Sequence, residues 1–422
     1  MTEISASQGP VARGSMARVG TATAVTALCG YAVIYLAARD LAPSGFSIFG
    51  VFWGAFGLVT GAANGLLQET TREVRTSPVG GPNTGDPAVG QPRTHPMRVA
   101  MLVGAAAAVM IAGSSPLWGA RVFVEARPLS VVLLSLGLAG FCVHATLLGM
   151  LAGTNQWTRY GALMVTDAVI RVLVAAATVA LGWRLAGFLW ATVAGAVAWL
   201  ILLIASPATR ATARLLTAGG TATFLRGAAH SITAAGASAV LVMGFPVLLK
   251  LTSAQLGAQG GVIILAVTLT RAPLLVPLTA MQGNLIAHFV DERGNRVRAL
   301  LGPAAIVGAI GAVGVLAAGV VGPWLLRVGF GQQYHAGSAL LAWLTAAAVA
   351  IAMLTLTGAA AVAAALHRAY ALGWVSATVA SGLLLLLPLS LQTRTVVGLL
   401  CGPVVGIGVH LVALSRAARS TG

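Results

Sequence analysis

Apolar residues fill this chain in blocks of about 20, the length a helix needs to cross the hydrocarbon core of a bilayer. Twelve such blocks are visible, near 17–38, 46–69, 98–118, 129–151, 160–182, 185–205, 228–250, 259–286, 300–326, 337–365, 369–389 and 395–415. Only Trp183-Arg184 divides the fifth from the sixth, so a tight hairpin is expected there. The connection 206–227 carries Arg210, Arg214 and Arg226 and has room for a short interfacial helix. The pattern predicts an all-α integral membrane protein of about twelve transmembrane helices, and the layout of its halves predicts two related six-helix lobes. The expected organisation is a cytoplasmic tail over 1–16, an N-lobe over 17–205, a linker over 206–227, a C-lobe over 228–415 and a tail over 416–422. Within the N-lobe, 76–96 is rich in Gly and Pro and reads as a flexible cytoplasmic loop.

Composition supports this class. The chain is 58% hydrophobic and 8% charged, whereas roughly a quarter of the residues of a soluble domain are charged. Its formal charge of +16 comes from 25 basic and 9 acidic residues. The bases sit between apolar blocks, so membrane topology and anionic lipid explain them better than nucleic acid does. With the N-terminus inside, the cytoplasmic ends collect sixteen arginines and the outer ends seven bases, among them Arg39, Lys250 and Arg394. That bias places both termini in the cytoplasm of a bacterial plasma membrane, and an odd number of spans would scramble it. The N-terminus lacks the short apolar core and cleavage site of a signal peptide. Cys29, Cys142 and Cys401 fall in apolar blocks at unrelated spacings, which reads as core packing, not as a disulfide or metal site. No cofactor is expected.

The block 268–290, TLTRAPLLVPLTAMQGNLIAHFV, holds the most unusual chemistry. Arg271 lies inside it, and an arginine at such depth costs a few kcal/mol unless water or an anion compensates it. Pro273 and Pro277 remove backbone donors next to it and loosen the helix. Thr268, Arg271, Leu275, Leu278 and Gln282 share one face, which would look into a wet cavity. The alternative is that Arg271 snorkels to the headgroups at one surface.

Elsewhere, Thr60, Asn64, Gln68 and Arg72 recur every four residues as a polar stripe on the second helix. Two uses are open for the stripe: donors to a sugar or phosphate, or hydrogen bonds between helices. Gly57, Gly61 and Gly65 give the same helix close-packing potential. Asp167 and Arg171 stand four residues apart in the fifth helix, a spacing that pairs them structurally or, alternatively, handles substrate or protons. Arg18 near the inner mouth suits an anionic headgroup as well as it suits topological anchoring, and Arg39 is expected to pair with Asp40. His144 reads as a hydrogen-bonded packing residue.

Absences narrow the function. No phosphate-loop GxxxxGK[ST], HExxH or GxSxG motif occurs, and no outer loop is long enough for a catalytic domain. The chain is therefore read as a non-enzyme. Asp167 is the one carboxylate clearly at mid-membrane, so a cation antiporter is poorly supplied. An excess of buried arginine favours an anionic substrate, because guanidinium binds phosphate through paired hydrogen bonds.

The halves share a layout: a basic residue ends a helix and a small-residue loop opens the next at Arg39-Asp40-Leu41-Ala42-Pro43-Ser44-Gly45-Phe46 and again at Lys250-Leu251-Thr252-Ser253-Ala254-Gln255-Leu256-Gly257. The first of these continues as Ser47-Ile48-Phe49 and resembles the "R-x-L-G-P-x-x-Y/F-G-x-F" signature of the polysaccharide-biosynthesis flippases, with Ala42-Pro43 for the usual Gly-Pro. Gly65-Leu66-Leu67-Gln68-Glu69-Thr70-Thr71-Arg72-Glu73 closes the second helix as in that branch, of the O-antigen and teichuronic-acid type, within the multidrug, oligosaccharidyl-lipid and polysaccharide exporter superfamily. The two extra helices of peptidoglycan-precursor flippases are missing. The resemblance implies alternating access by two six-helix lobes around a basic central cavity, carrying a polyprenyl-pyrophosphate-linked oligosaccharide, a cell-envelope glycan precursor, across the membrane. It makes Arg271 the first candidate for the pyrophosphate, followed by Arg18 and Arg171, with Asn64, Gln68 and Gln282 lining the path. Membrane lipids and glycan polymerase or glycosyltransferase proteins are the expected partners. The rival expectations are a cation-coupled multidrug or metabolite antiporter of the same fold, with Asp167 as its test, a membrane glycosyltransferase or ligase, and a non-transporting glycan-assembly partner.

Overall fold

Inside a bilayer a backbone must satisfy its own hydrogen bonds, and each apolar block accordingly lies on a helix, in three cases on a helix with a break. The computed structural model describes residues 13–77, 92–291 and 296–420. In chain order the helices are α1 Arg13–Asp40, α2 Pro43–Thr76, α3 Pro96–Val122, α4 Arg127–Gly153, α5 Trp157–Leu181, α6 Arg184–Ala194, α7 Ala198–Ala205, α8 Pro207–Ala213, α9 Thr221–Val242, α10 Phe245–Leu251, α11 Gly257–Asp291, α12 Arg296–Ala299, α13 Leu301–Val320, α14 Gly322–Phe330, α15 Ser338–Ala363, α16 His367–Leu385 and α17 Leu391–Ser420. A 3-10 turn, Gly195–Val197, joins α6 to α7. Ten helices among the described residues are long and apolar enough to cross a membrane, and eleven spans result if α9 and α10, bent by 67°, count as one. The remaining expected span is α16, 19 residues long, whose His367, Arg368 and Ser381 lower its hydropathy.

The chain divides into two compact units. The first comprises Met1–Leu36 and Phe56–Gly236, and the second Ala37–Ala55 and Ala237–Gly422. The linker expected at 206–227 thus lies inside the first unit, where a short helix, α8, is capped by Ser206 through Thr209 N at 3.2 Å but carries only Arg210 of the three expected arginines, Arg214 standing at its C-cap and Arg226 on α9. Its neighbour β2, Thr217–Ala218, pairs antiparallel with β1, Arg93–Thr94, a contact too short to leave a sequence pattern. Most of the loop expected over 76–96, and the tail before residue 13, lie outside the described residues. At the other end α17 continues through 416–420, where a tail was expected.

In the first unit the core runs through Leu66, Val99, Cys142 and Phe224, with a second cluster around Leu147, Leu151, Leu163 and Leu202. Gly65 is what lets α2 meet α9: a Cβ there would collide with the Ser231–Ile232 peptide. In the second unit Phe289, Leu300, Leu356 and Leu414 form a core cluster. The Arg39–Phe49 stretch docks in this unit, on the segment after α14. Tyr334, fully buried, donates its hydroxyl to Leu41 O at 3.2 Å and meets the Phe46 ring edge-on at 6.0 Å. Burial raises the Tyr334 pKa and keeps the hydroxyl a donor. Arg39 reaches Gly329 O at 3.5 Å and forms no ion pair with Asp40, whose buried Oδ2 has no partner. That corrects the expected pair: Arg39 turns to the Gly329 carbonyl instead.

The two halves share a detail finer than layout. Between α4 and α5, Asn155 adopts φ 58° and Gln156 φ −85°, ψ 56°; between α15 and α16, Ala365 adopts φ 59° and Leu366 φ −88°, ψ 56°. Gln156 N bonds Leu151 O at 2.8 Å and Leu366 N bonds Ala361 O at 2.9 Å. A left-handed non-glycine residue is uncommon, so its recurrence in the same hydrogen-bonded turn marks a repeat.

Candidate functional site

In the first unit α5 carries Asp167 and Arg171 one helical turn apart. They form a two-pronged pair, Nη2 to Oδ1 at 2.9 Å and Nε to Oδ2 at 3.1 Å, with side chains 12% and 14% exposed. The guanidinium does two more things. Its Nη1 donates to Thr192 O at 2.7 Å, and its plane lies 5.3 Å from the Phe56 ring. Thr192 sits just before the Gly195–Val197 turn, where 3-10 bonding interrupts the α-helical ladder. Gly195 is required there, since a Cβ would run into the Asp167 carboxylate and Arg171 Nε. Arg171 therefore serves a break in its neighbour helix while Asp167 neutralises it.

In the second unit Arg271 repeats this geometry, with no acid partner among the described residues. Pro246 has no N–H, so Val242 O loses the donor that an unbroken helix would place four residues on. Arg271 Nη1 donates to Val242 O at 3.0 Å and Leu241 O at 3.4 Å, and its plane lies 5.3 Å from the Phe245 ring. Gly54 allows the break to approach α2, because a Cβ would press on Pro246 and Met243 O. Arg271 is 8% exposed, and Nη2 is buried with no partner. Its side chain folds inward onto a helix break, so it does not snorkel. The helix α11 runs unbroken over Pro273 and Pro277, contrary to the expected loosening. The break falls on the neighbouring span instead.

The other expected residues are spread out. Arg18 is exposed, donates to Thr158 Oγ1 at 3.2 Å, and lines a cavity of about 440 Å³ at the α4–α5 turn. Along the α2 stripe Thr60 is buried and bonds its own helix at Phe56 O (2.8 Å), Asn64 is half-buried and Gln68 exposed. Gln282 lies on α11, and its side chain is outside the described residues. His144 is buried and stacks on Phe141 at 5.4 Å, but its Nδ1 has no partner, so packing holds it without the expected bond there. Cys142 is buried as expected of a core residue, whereas Cys401 is exposed.

Three further polar groups were missed. Glu69, 3% exposed, holds Arg72 at 2.6 and 3.2 Å and receives Ser231 Oγ at 3.5 Å, with Gly227 packed on its carboxylate. The Glu69–Arg72 spacing of three was a legible signal. Buried His410 meets Thr357 Oγ1 at 3.0 Å and Tyr370 O at 3.2 Å and stacks on the Tyr370 ring, with Gly373 making the room. Arg394 ties Thr252 O (2.8 Å), Ser253 Oγ (2.7 Å) and Leu385 O (3.1 Å) together. Those two leave no periodic trace, because their partners are distant in sequence.

No protein-family model matches the chain. It is 78% identical to the "Uncharacterized protein Rv3630" of Mycobacterium tuberculosis over 97% of this chain and 94% of that one. It is 70% identical to the "Uncharacterized protein Rv1510" of the same organism, over 99% and 96%. Among solved structures, an inward-facing multidrug resistance MATE family transporter of the MOP superfamily is similar with a TM-score of 0.68 at 16% identity, covering 94% of this chain and 96% of that one. An outward-facing MATE family transporter gives 0.60 at 15% identity, covering 96% of each chain. These likenesses show a MATE-type fold.

Proposed function

We infer a transport function for a chain that belongs to the same family as the mycobacterial proteins Rv3630 and Rv1510 and has the fold of MATE transporters. In this reading the chain is a multi-pass transporter that works by alternating access and catalyses no covalent chemistry. The observation that carries it is whole-chain likeness to MATE structures in both inward-facing and outward-facing conformations. The same likeness favours a small organic cargo, moved in exchange for a cation, over the lipid-linked glycan expected from the sequence.

The glycan reading keeps one specific observation in its favour. Arg271 is a buried cation with no carboxylate partner among the described residues, and its Nη2 is an unused donor that could bond a pyrophosphate oxygen. The cation-coupled reading has to account for its acids. Asp167 and Glu69 are both held by arginines, so a cation would have to displace Arg171 or Arg72 to reach either.

Purified protein in proteoliposomes separates the two. An imposed sodium or proton gradient should drive a fluorescent organic cation across the wild-type membrane, and a fluorescent polyprenyl-pyrophosphate oligosaccharide should stay put. Movement of the lipid-linked probe with no movement of the cation would restore the glycan reading. Movement of neither under any gradient would end the transport reading.

A further inference from the structure

None of the residues that line the cavity at the α4–α5 turn belongs to the Asp167 or the Arg271 site. The cavity is lined by Arg18, Asn155, Gln156, Trp157, Thr158 and Arg159, a set with two cations and no acid. Arg159 Nη1 bonds Gln156 Oε1 at 2.8 Å and Arg18 Nη1 bonds Thr158 Oγ1 at 3.2 Å, and among the described residues neither arginine is in an ion pair. Each guanidinium is thus positioned by a neutral side chain, and no acid among the described residues compensates its charge. A third arginine backs the cavity. Arg75 lies 5.8 Å over the Trp157 ring and reaches Asn155 Oδ1 at 3.4 Å. The Trp157 Nε1 is buried with no partner, an unused donor on a lining residue. The first amides of α5, uncapped by Gln156, add donors of the same sign.

The repeat shows that the amides at 155 and 156 and the arginine at 159 are not needed for the turn, although its second copy carries His367 and Arg368 where the first has Trp157 and Thr158. The matching positions in the second half are Ala365 for Asn155, Leu366 for Gln156 and Ala369 for Arg159, and the backbone is the same within a few degrees. Alanine holds the left-handed position as well as asparagine does. Gln156 Nε2 is spent on Thr154 Oγ1 at 3.0 Å and Thr212 Oγ1 at 2.6 Å, which leaves Arg18 and Arg159 as the charged groups lining the cavity.

We propose that this cavity binds a phosphate or pyrophosphate group, clamped between Arg18 and Arg159 at the ends of α1, α4 and α5. Paired arginines suit such a group through forked hydrogen bonds, and the ligand can be a lipid headgroup or a soluble phosphate compound.

The test uses the full chain in neutral detergent. Isothermal titration with inorganic pyrophosphate probes the soluble source, and with short-chain phosphatidic acid the lipid source. Wild type should bind at least one probe saturably, with affinity falling as salt rises from about 0.05 to 0.5 M. Arg159→Ala, which copies the second-half residue, and Arg18→Gln should each weaken that binding roughly tenfold or more. Arg327→Gln, an exposed arginine elsewhere, should leave it unchanged. Pyrophosphate binding identifies a phosphate site open to soluble ligands, and phosphatidic acid binding alone identifies a headgroup site. If neither probe binds, or if Asn155→Ala/Arg159→Ala melts like wild type and binds equally well, the proposal is overturned.

Discussion

At the residue scale two arginines, Arg271 buried and Arg171 partly buried, do the same job with different compensation. Arg171 and Arg271 each donate to carbonyls beside a broken helix and each lie 5.3 Å from a phenylalanine ring, but among the described residues only Arg171 has an acid. Asp167→Asn should therefore leave Arg171 as an uncompensated buried charge and cost about 3–5 kcal/mol. Thermal unfolding in detergent checks it, and Asp167→Leu combined with Arg171→Met should cost less than the single change. Arg271→Ala strips Val242 O and Leu241 O of their donor, a loss of about 1–3 kcal/mol for each carbonyl left unsatisfied. Arg271→Lys should recover part of that stability, since an ammonium can still donate to one of the two. Equal melting of wild type and Arg271→Ala would show that the carbonyls do not depend on it.

At the element scale the break between α9 and α10 and the crossing of α2 with α9 are the features to probe. If Pro246 creates the unsatisfied Val242 carbonyl, Pro246→Ala restores its donor and lessens the need for Arg271. The double-mutant cycle of Pro246→Ala with Arg271→Ala should show coupling of about 0.5–3 kcal/mol, with the Arg271 loss smaller in the alanine background. Additive losses would mean that the proline and the arginine act separately. Gly65→Val forces a branched side chain into the Ser231–Ile232 peptide and should destabilise by about 1–3 kcal/mol or more. Gly113→Val, at a glycine with open space around it, should cost less. Melting midpoints of the two variants decide between a specific crossing and a general glycine effect.

At the scale of the whole molecule, the apolar blocks carried most of the fold. Every block became a helix, the 160–182/185–205 hairpin falls at Gly182–Trp183, and the short helix in 206–227 is α8. Periodicity could not show α9 bending at Met243-Gly244, because Gly244 and Pro246 lie in an otherwise apolar run. The site was legible in part. A spacing of four placed Asp167 against Arg171, and depth alone singled out Arg271. The carbonyls those arginines serve come from other helices, which no local pattern encodes. Glu69 was visible as an acid but not as a buried one, since its burial depends on Gly227 far along the chain. The resemblance motif at Arg39–Phe49 proved to be a docking segment for Tyr334 and Gly329.

The claim that unites these scales is that the chain exposes a binding site alternately to the two sides of a membrane, and solute counterflow tests it most directly. Proteoliposomes are loaded with unlabelled organic cation and diluted into a trace of the labelled compound without any ion gradient. An alternating carrier predicts a transient overshoot of labelled cargo inside the vesicles, abolished when the unlabelled load is omitted. Label that only equilibrates, with or without the load, would contradict the account.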